Sequence, residues 1–170
     1  MDHEMVGEVV FSGHFLTLTI EKRDTLTFER CYQRNGVSVI VVPEPGKIRL
    51  ITEKDWEDGL SKTKVVSAYR EDGEDPLACA KRELQEEMGF TAENWELYHV
   101  SKSDGAIIKD QHYYVATGLT EVGAKPDEDE TIFYWRDFSF EEIREKSLSL
   151  GFGTHENAFA LLRFVTEVRE

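Results

Sequence analysis

The chain has 170 residues, 40% of them apolar and 32% charged, which is enough for one domain with a real core. Twenty basic residues against 34 acidic ones give a net charge of −14. Such a surface repels a nucleic-acid backbone, so nucleic acid is not expected as a partner, whereas a small anion can still bind if divalent cations lie between the charges. No apolar run approaches the roughly 20 residues of a membrane span, and the acidic stretch 1–6 is unlike a signal peptide. A cytoplasmic protein with no membrane partner is expected, with Cys31 and Cys79 as reduced thiols.

In chain order, residues 8–11 and 15–20 read as strands around a Ser12-Gly13 turn. Residues 25–33 alternate with threonine and aromatic residues as a third strand. Residues 37–42 are a short apolar run of the kind found in buried strands. Pro43-Glu44-Pro45-Gly46 forces a turn, 47–52 returns as a strand, and 55–63 reads as polar loop. The clearest helix follows at 75–89, with Asp75 as cap, Pro76 at the first position and Gly89 at the end. Strands are expected near 95–100, 112–117 and 131–135. Ser139 and Glu142 form a capping box for a short helix through Lys146, and an amphipathic helix closes the chain from about 156 to 168. A mixed sheet between helices is the natural packing for this order.

The helix at 75–89 carries the chemistry. At about 100° per residue, Leu77, Ala80, Leu84 and Met88 form one apolar stripe, and Glu83, Glu86 and Glu87 fall in a wedge roughly 100° wide beside it. Like charges one turn apart destabilise a bare helix, so three carboxylates there suggest a cation between them. The bland reading is a solvated acidic face exposed at the surface. Oxygen donors favour Mg²⁺ or Mn²⁺ over zinc. The histidines offer no metal-ligand pair on one element, and there is no glycine-rich phosphate loop. Arg30, Phe28 and Phe15 are candidates for phosphate and base contacts.

Glu74, seven residues, then Arg82-Glu83-Leu84-Gln85-Glu86-Glu87-Met88-Gly89-Phe90 resembles the signature of the Nudix hydrolases at every defined position from Glu74 onward. The signature opens on glycine, where this chain has Ala68. The resemblance implies a Nudix-type α/β/α sandwich, an α/β (α+β) fold with a mixed sheet and additional N-terminal antiparallel strands, over a single domain 1–170. It also implies Mg²⁺- or Mn²⁺-dependent attack of water on a phosphorus within a diphosphate linkage. Glu83 and Glu87 are the implied direct metal ligands, Glu86 a further ligand through water, and the Ser67 carbonyl another. Arg82 is implied to hold a catalytic glutamate, and Glu74 to tie the loop to the helix. Alanine is restricted at positive φ, so a shifted loop around Ser67 is expected.

Most of the chain resembles the ADP-ribose pyrophosphatase branch of that family. The resemblance implies that N-terminal strands 1–34 exchange within a homodimer and that 35–170 is the catalytic core. It places the water-activating base at Glu128 and another metal ligand at Glu130, in the acidic loop 127–130. The branch commonly enters the signature through Glu-apolar-Pro-Ala-Gly, where this chain has Lys64-Val65-Val66-Ser67-Ala68, and Glu53-Lys54-Asp55 stands where an arginine for the substrate is often found. ADP-ribose or a nucleoside diphosphate sugar is the expected substrate, with dinucleotides and flavin nucleotides open. A nucleotide-sensing module without catalysis is the alternative. An isomerase of prenyl diphosphates on the same fold would need a reactive cysteine and a histidine beside the metal.

Overall fold

A computed structural model describes residues 4–54, 61–125, 132–149 and 152–168. Three antiparallel strands open the chain: β1 (Glu8–Ser12), β2 (Leu16–Arg23) and β3 (Leu26–Gln33). They join the main sheet through β9 (Ile107–Glu121), against which β3 runs parallel over Cys31 and Tyr32. The sheet continues through β4 (Gly36–Val41) and β5 (Lys47–Lys54) to β10 (Ile132–Ser139). Three further strands attach to this path: β6 (Ser61–Lys64) on β5, β7 (Val66–Tyr69) on β4, and β8 (Phe90–Asp104) on β9. Parallel pairing of β9 with both β3 and β4, among otherwise antiparallel neighbours, makes the sheet mixed.

Every residue of β4 is buried, because the strand is covered on both faces. Alternation sends Val37, Val39 and Val41 into one core layer and Ile40 into the other. The first layer is closed by α1 (Pro76–Glu83) and the turn after it, through Cys79, Ala80, Leu84 and Met88. The second is closed by α2 (Phe140–Leu148) and α3 (His155–Glu167), through Phe140, Ile143, Leu161, Phe164 and Val165. The result is the expected helix–sheet–helix sandwich. Among the described residues, no helix is long and apolar enough to cross a membrane.

Several boundaries differ from the sequence reading. Residues 61–63, read as the end of a loop, belong with Lys64 to β6 because their backbone pairs with Ile51 to Lys54. The strands expected at 95–100 and 112–117 are the middle of one long hairpin, Phe90–Asp104 with Ile107–Glu121. The helix 75–89 is α-helical only to Glu83 and continues as a π-helical turn, Leu84–Met88.

Candidate active site

Local chemistry sets the site's frame. Asp75 accepts hydrogen bonds from the Leu77 and Ala78 amides, both at 3.0 Å, and Pro76 begins α1. At the other end Gly89 adopts φ 80°, and a side-chain carbon there would stand 2.6 Å from the Ala124 nitrogen. That close approach lets residues 122–125 dock on the helix end: the amides of Val122 and Gly123 donate to the Gly89 carbonyl, and that of Lys125 to the Glu86 carbonyl at 3.1 Å. The π turn between these ends is a wider coil than the α-helix, a local feature that recurs at functional sites.

The acidic wedge is not the solvated face of the bland reading. Glu83 is 7% exposed and Glu87 only 2%. Buried carboxylates need cations, and two are present. Arg82 donates through Nε and Nη2 to both oxygens of Glu74, at 3.0 and 3.2 Å, and through Nη1 to Glu83 and to Glu86, the latter at 2.8 Å. One planar guanidinium therefore organises three carboxylates, a task suited to arginine's fixed fork of donors. Lys64 is the second cation. Its Nζ lies 3.0 Å from Glu53 Oε2 and 3.8 Å from Glu87 Oε1.

Glu74 also accepts from the Glu71 amide at 3.0 Å, and Arg70 donates to the Glu74 carbonyl through Nε at 2.9 Å. The Arg82 hydrogen bonds hold the Glu74 carboxyl at a pKa of about 2, against the usual 4.5, with burial opposing and the Glu71 amide assisting. A carboxyl whose folded value lies below its unfolded value stabilises the fold fully above the unfolded value. That contribution, about 3 kcal/mol, is lost as pH falls from roughly 4.5 towards 2. Urea unfolding measured across this window should therefore show a steep acid limb, and Glu74→Gln should flatten it. An unchanged slope in the variant would contradict the assignment.

Ala68 sits in regular β7 opposite Val37, and Asp24 is the only non-glycine residue with positive φ among those described. The strain behind the expected shift is thus absent: alanine is at ease where it stands. Ser67 is its neighbour in β7, opposite Ser38. Burial pushes the Cys79 thiol up to about 12, with Glu74 adding to the effect. A thiol held in its uncharged form is a poor nucleophile, which disfavours Cys79 as the reactive cysteine of an isomerase.

A cavity of about 500 Å³ lies on the N-terminal side of the loop 70–73, lined among others by His14, Phe15, Arg34, Asn35, Arg70 and Asp72. Phe15 meets Tyr69 with ring centroids 5.7 Å apart, and Arg34 is loosely paired with Asp72 at 3.8 Å. Arg70 lines the cavity and also bonds Glu74, so the cavity and the acidic wedge are two sides of one hydrogen-bonded loop. Of the substrate contacts expected on the N-terminal strands, Phe15 lines this cavity. Arg30 and Phe28 do not: Arg30 faces Glu21 at 3.6 Å, and Phe28 lies under Arg23. Sequence reading missed Arg34, Arg70 and the contact between Lys64 and Glu87. The replacement of an acidic residue by Lys64 was the one visible signal.

Glu128 and Glu130 lie outside the described residues. Their flanks are described. Lys125 is anchored to the Glu86 carbonyl, and Ile132 pairs with Glu53, the residue that also holds Lys64.

The donor set suits a hard divalent ion: three carboxylates within one short segment, two of them buried. Among the described residues no three acidic, histidine or cysteine side chains already converge as a metal cage. Here the Glu83 carboxylate meets Arg82 and Glu87 meets Lys64.

Comparison with known proteins agrees with this geometry. The family model for the NUDIX domain matches residues 32–157. The methanol dehydrogenase activator of Bacillus methanolicus is 32% identical over 133 residues, covering 74% of this chain and 72% of its own length. A crystal structure of an ADP compounds hydrolase has the same fold, with a TM-score of 0.73 at 18% identity over 94% of this chain and 88% of that one. With the arginine-organised glutamates of 82–87 and the family match over most of its length, the chain belongs to the Nudix hydrolase family.

Proposed function

We propose that this chain is a Mg²⁺- or Mn²⁺-dependent hydrolase of the diphosphate linkage in a nucleoside diphosphate joined to another group, ADP-ribose or a nucleoside diphosphate sugar foremost. The observation that carries the reading is the buried pair Glu83 and Glu87, the first held by Arg82 and the second beside Lys64, on the segment that matches the family. The cavity's volume falls in the range of small-molecule sites, about 300–1,000 Å³. Phe15 offers a face for a base and Arg34 a charge for a phosphate.

Glu83, Glu87 and the Ser67 carbonyl are the proposed direct metal ligands, with Glu86 and Glu130 completing the set. Ions held there would supply charge to offset that of the phosphates and would lower the pKa of the attacking water. Arg82 keeps the carboxylates oriented. Glu128 takes the proton from water as its oxygen forms a bond to phosphorus. The bond from phosphorus to the bridging oxygen breaks, and the departing phosphate keeps the electron pair. Glu128 follows Lys125 by three positions, a span of at most about 11 Å. The anchor of Lys125 on Glu86 therefore supports a base near the wedge.

The projecting strands β1–β3 expose Val9, Val10, Phe11 and Leu26. This supports residues 1–34 as a surface that a second copy covers in a homodimer, with 35–170 as the catalytic part of a single domain. A monomer in sedimentation at micromolar concentration would overturn that part. The neighbour described as an ADP compounds hydrolase supports the substrate class. A second reading, binding of a nucleotide without turnover in the regulation of another enzyme, draws its regulatory part from the Bacillus methanolicus relative, a methanol dehydrogenase activator. A panel of ADP-ribose, sugar nucleotides, dinucleotides and nucleoside triphosphates with Mg²⁺ and Mn²⁺ separates the readings. Metal-dependent release of two monophosphate products supports the hydrolase. Binding with no product supports the regulator.

A further inference from the structure

Lys64 ends β6, three residues before Ser67, and the backbone opposite it is that of Ile51. Its side chain is 15% exposed, and it brings an ammonium within 3.0 Å of Glu53 and 3.8 Å of Glu87, whose side chain is 1% exposed. The stem is confined as well. Gly153 has φ +54°, and a side-chain carbon placed there would stand 3.2 Å from Lys64 Cβ. The chain entering α3 thus passes close to the base of the lysine side chain.

We propose that Lys64 is a built-in counter-ion of the acidic wedge: its ammonium takes charge and space beside Glu87 that a divalent ion would otherwise take. Lys64 then sets how many ions this chain holds and how tightly. Two physical points support this. Glu87 and Glu53 together would attract a divalent ion strongly, since burial weakens solvent screening. A single ammonium between them cancels half of that charge, and a lysine, as a compact point charge, can approach one carboxylate while bonded to another. An exposed lysine would have no such effect, because water and salt would screen it. Lys64 is a positioning residue here and needs no contact with the reacting atoms.

The inference rests on Glu87 being a metal ligand, so the experiment includes a control for that assignment. Mn²⁺ binding to the full chain without substrate would be followed by the paramagnetic signal of free Mn²⁺ for wild type, Lys64→Gln, Lys64→Arg and Glu87→Gln. Lys64→Gln should bind Mn²⁺ at least about tenfold more tightly or take up one more ion, since an attractive site has lost its competing cation. Lys64→Arg, which keeps the charge, should stay near wild type. In melting experiments the Tm of Lys64→Gln should fall without metal and rise more steeply with Mn²⁺ than that of wild type. If Lys64→Gln does not fold without metal, its refolding at Mn²⁺ concentrations below those that wild type needs for binding carries the same weight. Unchanged number and affinity in Lys64→Gln, with Glu87→Gln still losing an ion, would overturn the role of Lys64 alone. No Mn²⁺ binding by the wild type would overturn the metal assignment and the inference together.

Discussion

Glu87→Gln should lower turnover on the order of 10³-fold, the scale seen when one preorganised charge-stabilising group is removed from an active site. Glutamine keeps the shape of the side chain but removes the negative charge that a hard cation requires. Because Glu87 is 2% exposed, the effect on folding needs separate treatment. The variant leaves Lys64 bonded to Glu53, so no isolated buried charge results. Stability without metal should therefore change by only about 1 kcal/mol. With Mg²⁺ or Mn²⁺ the wild type should gain stability by linkage and the variant should gain less. Rates together with metal-dependent Tm values check both halves. Near-normal turnover in a folded Glu87→Gln protein would remove Glu87 from the ligand set.

Glu128→Gln should lower the catalytic rate by roughly 10²–10⁴-fold while substrate and metal still bind. A carboxylate held by a metal is a poor proton acceptor, since the cation lowers its pKa. The base is therefore sought outside 83–87, and the loop 127–130 begins where the chain leaves its anchor on Glu86. Single-turnover rates measured beside Mn²⁺ affinity distinguish a lost base from a lost ligand. If Glu128→Gln is close to wild type while a change at Glu86 or Asp110 abolishes turnover, the base belongs to the wedge or to β9.

Much of the frame was legible in the residues because it depends on local chemistry. Asp75, Pro76 and Gly89 mark the ends of the helical segment, and Ser139 with Glu142 forms its capping box in α2, because caps satisfy nearby backbone groups. The run 37–42 needs only its apolar character, broken at Ser38 alone, to be read as a buried strand, the observed β4. The longer hairpin was harder. Residues such as Glu93, Asn94, Lys102 and Asp110 break the apolar alternation in β8 and β9, while backbone pairing with the neighbouring strand continues.

The wedge shows a different failure. A helical wheel assumes one constant turn, so it could not reveal that α1 opens into a π turn at Leu84. Repulsion between Glu83 and Glu87 pointed to a cation between them but not to their burial. The cations that permit their burial come from Arg82 on the same helix and from Lys64 on a strand far away in sequence. Ala68 was read against a family loop with positive φ, whereas strand pairing with Val37 keeps it extended. For Glu87 and for Ala68 the deciding partner is brought in by tertiary structure.

The central claim is that water cleaves a diphosphate linkage at this site with the help of a divalent ion. Its most direct measurement is turnover of ADP-ribose and a nucleoside diphosphate sugar in ¹⁸O-labelled water, with the products weighed by mass spectrometry. The account predicts one ¹⁸O atom in one of the two monophosphate products, formation that requires Mg²⁺ or Mn²⁺, and its loss on adding a chelator. Binding of both nucleotides with no labelled product at any metal concentration would contradict it.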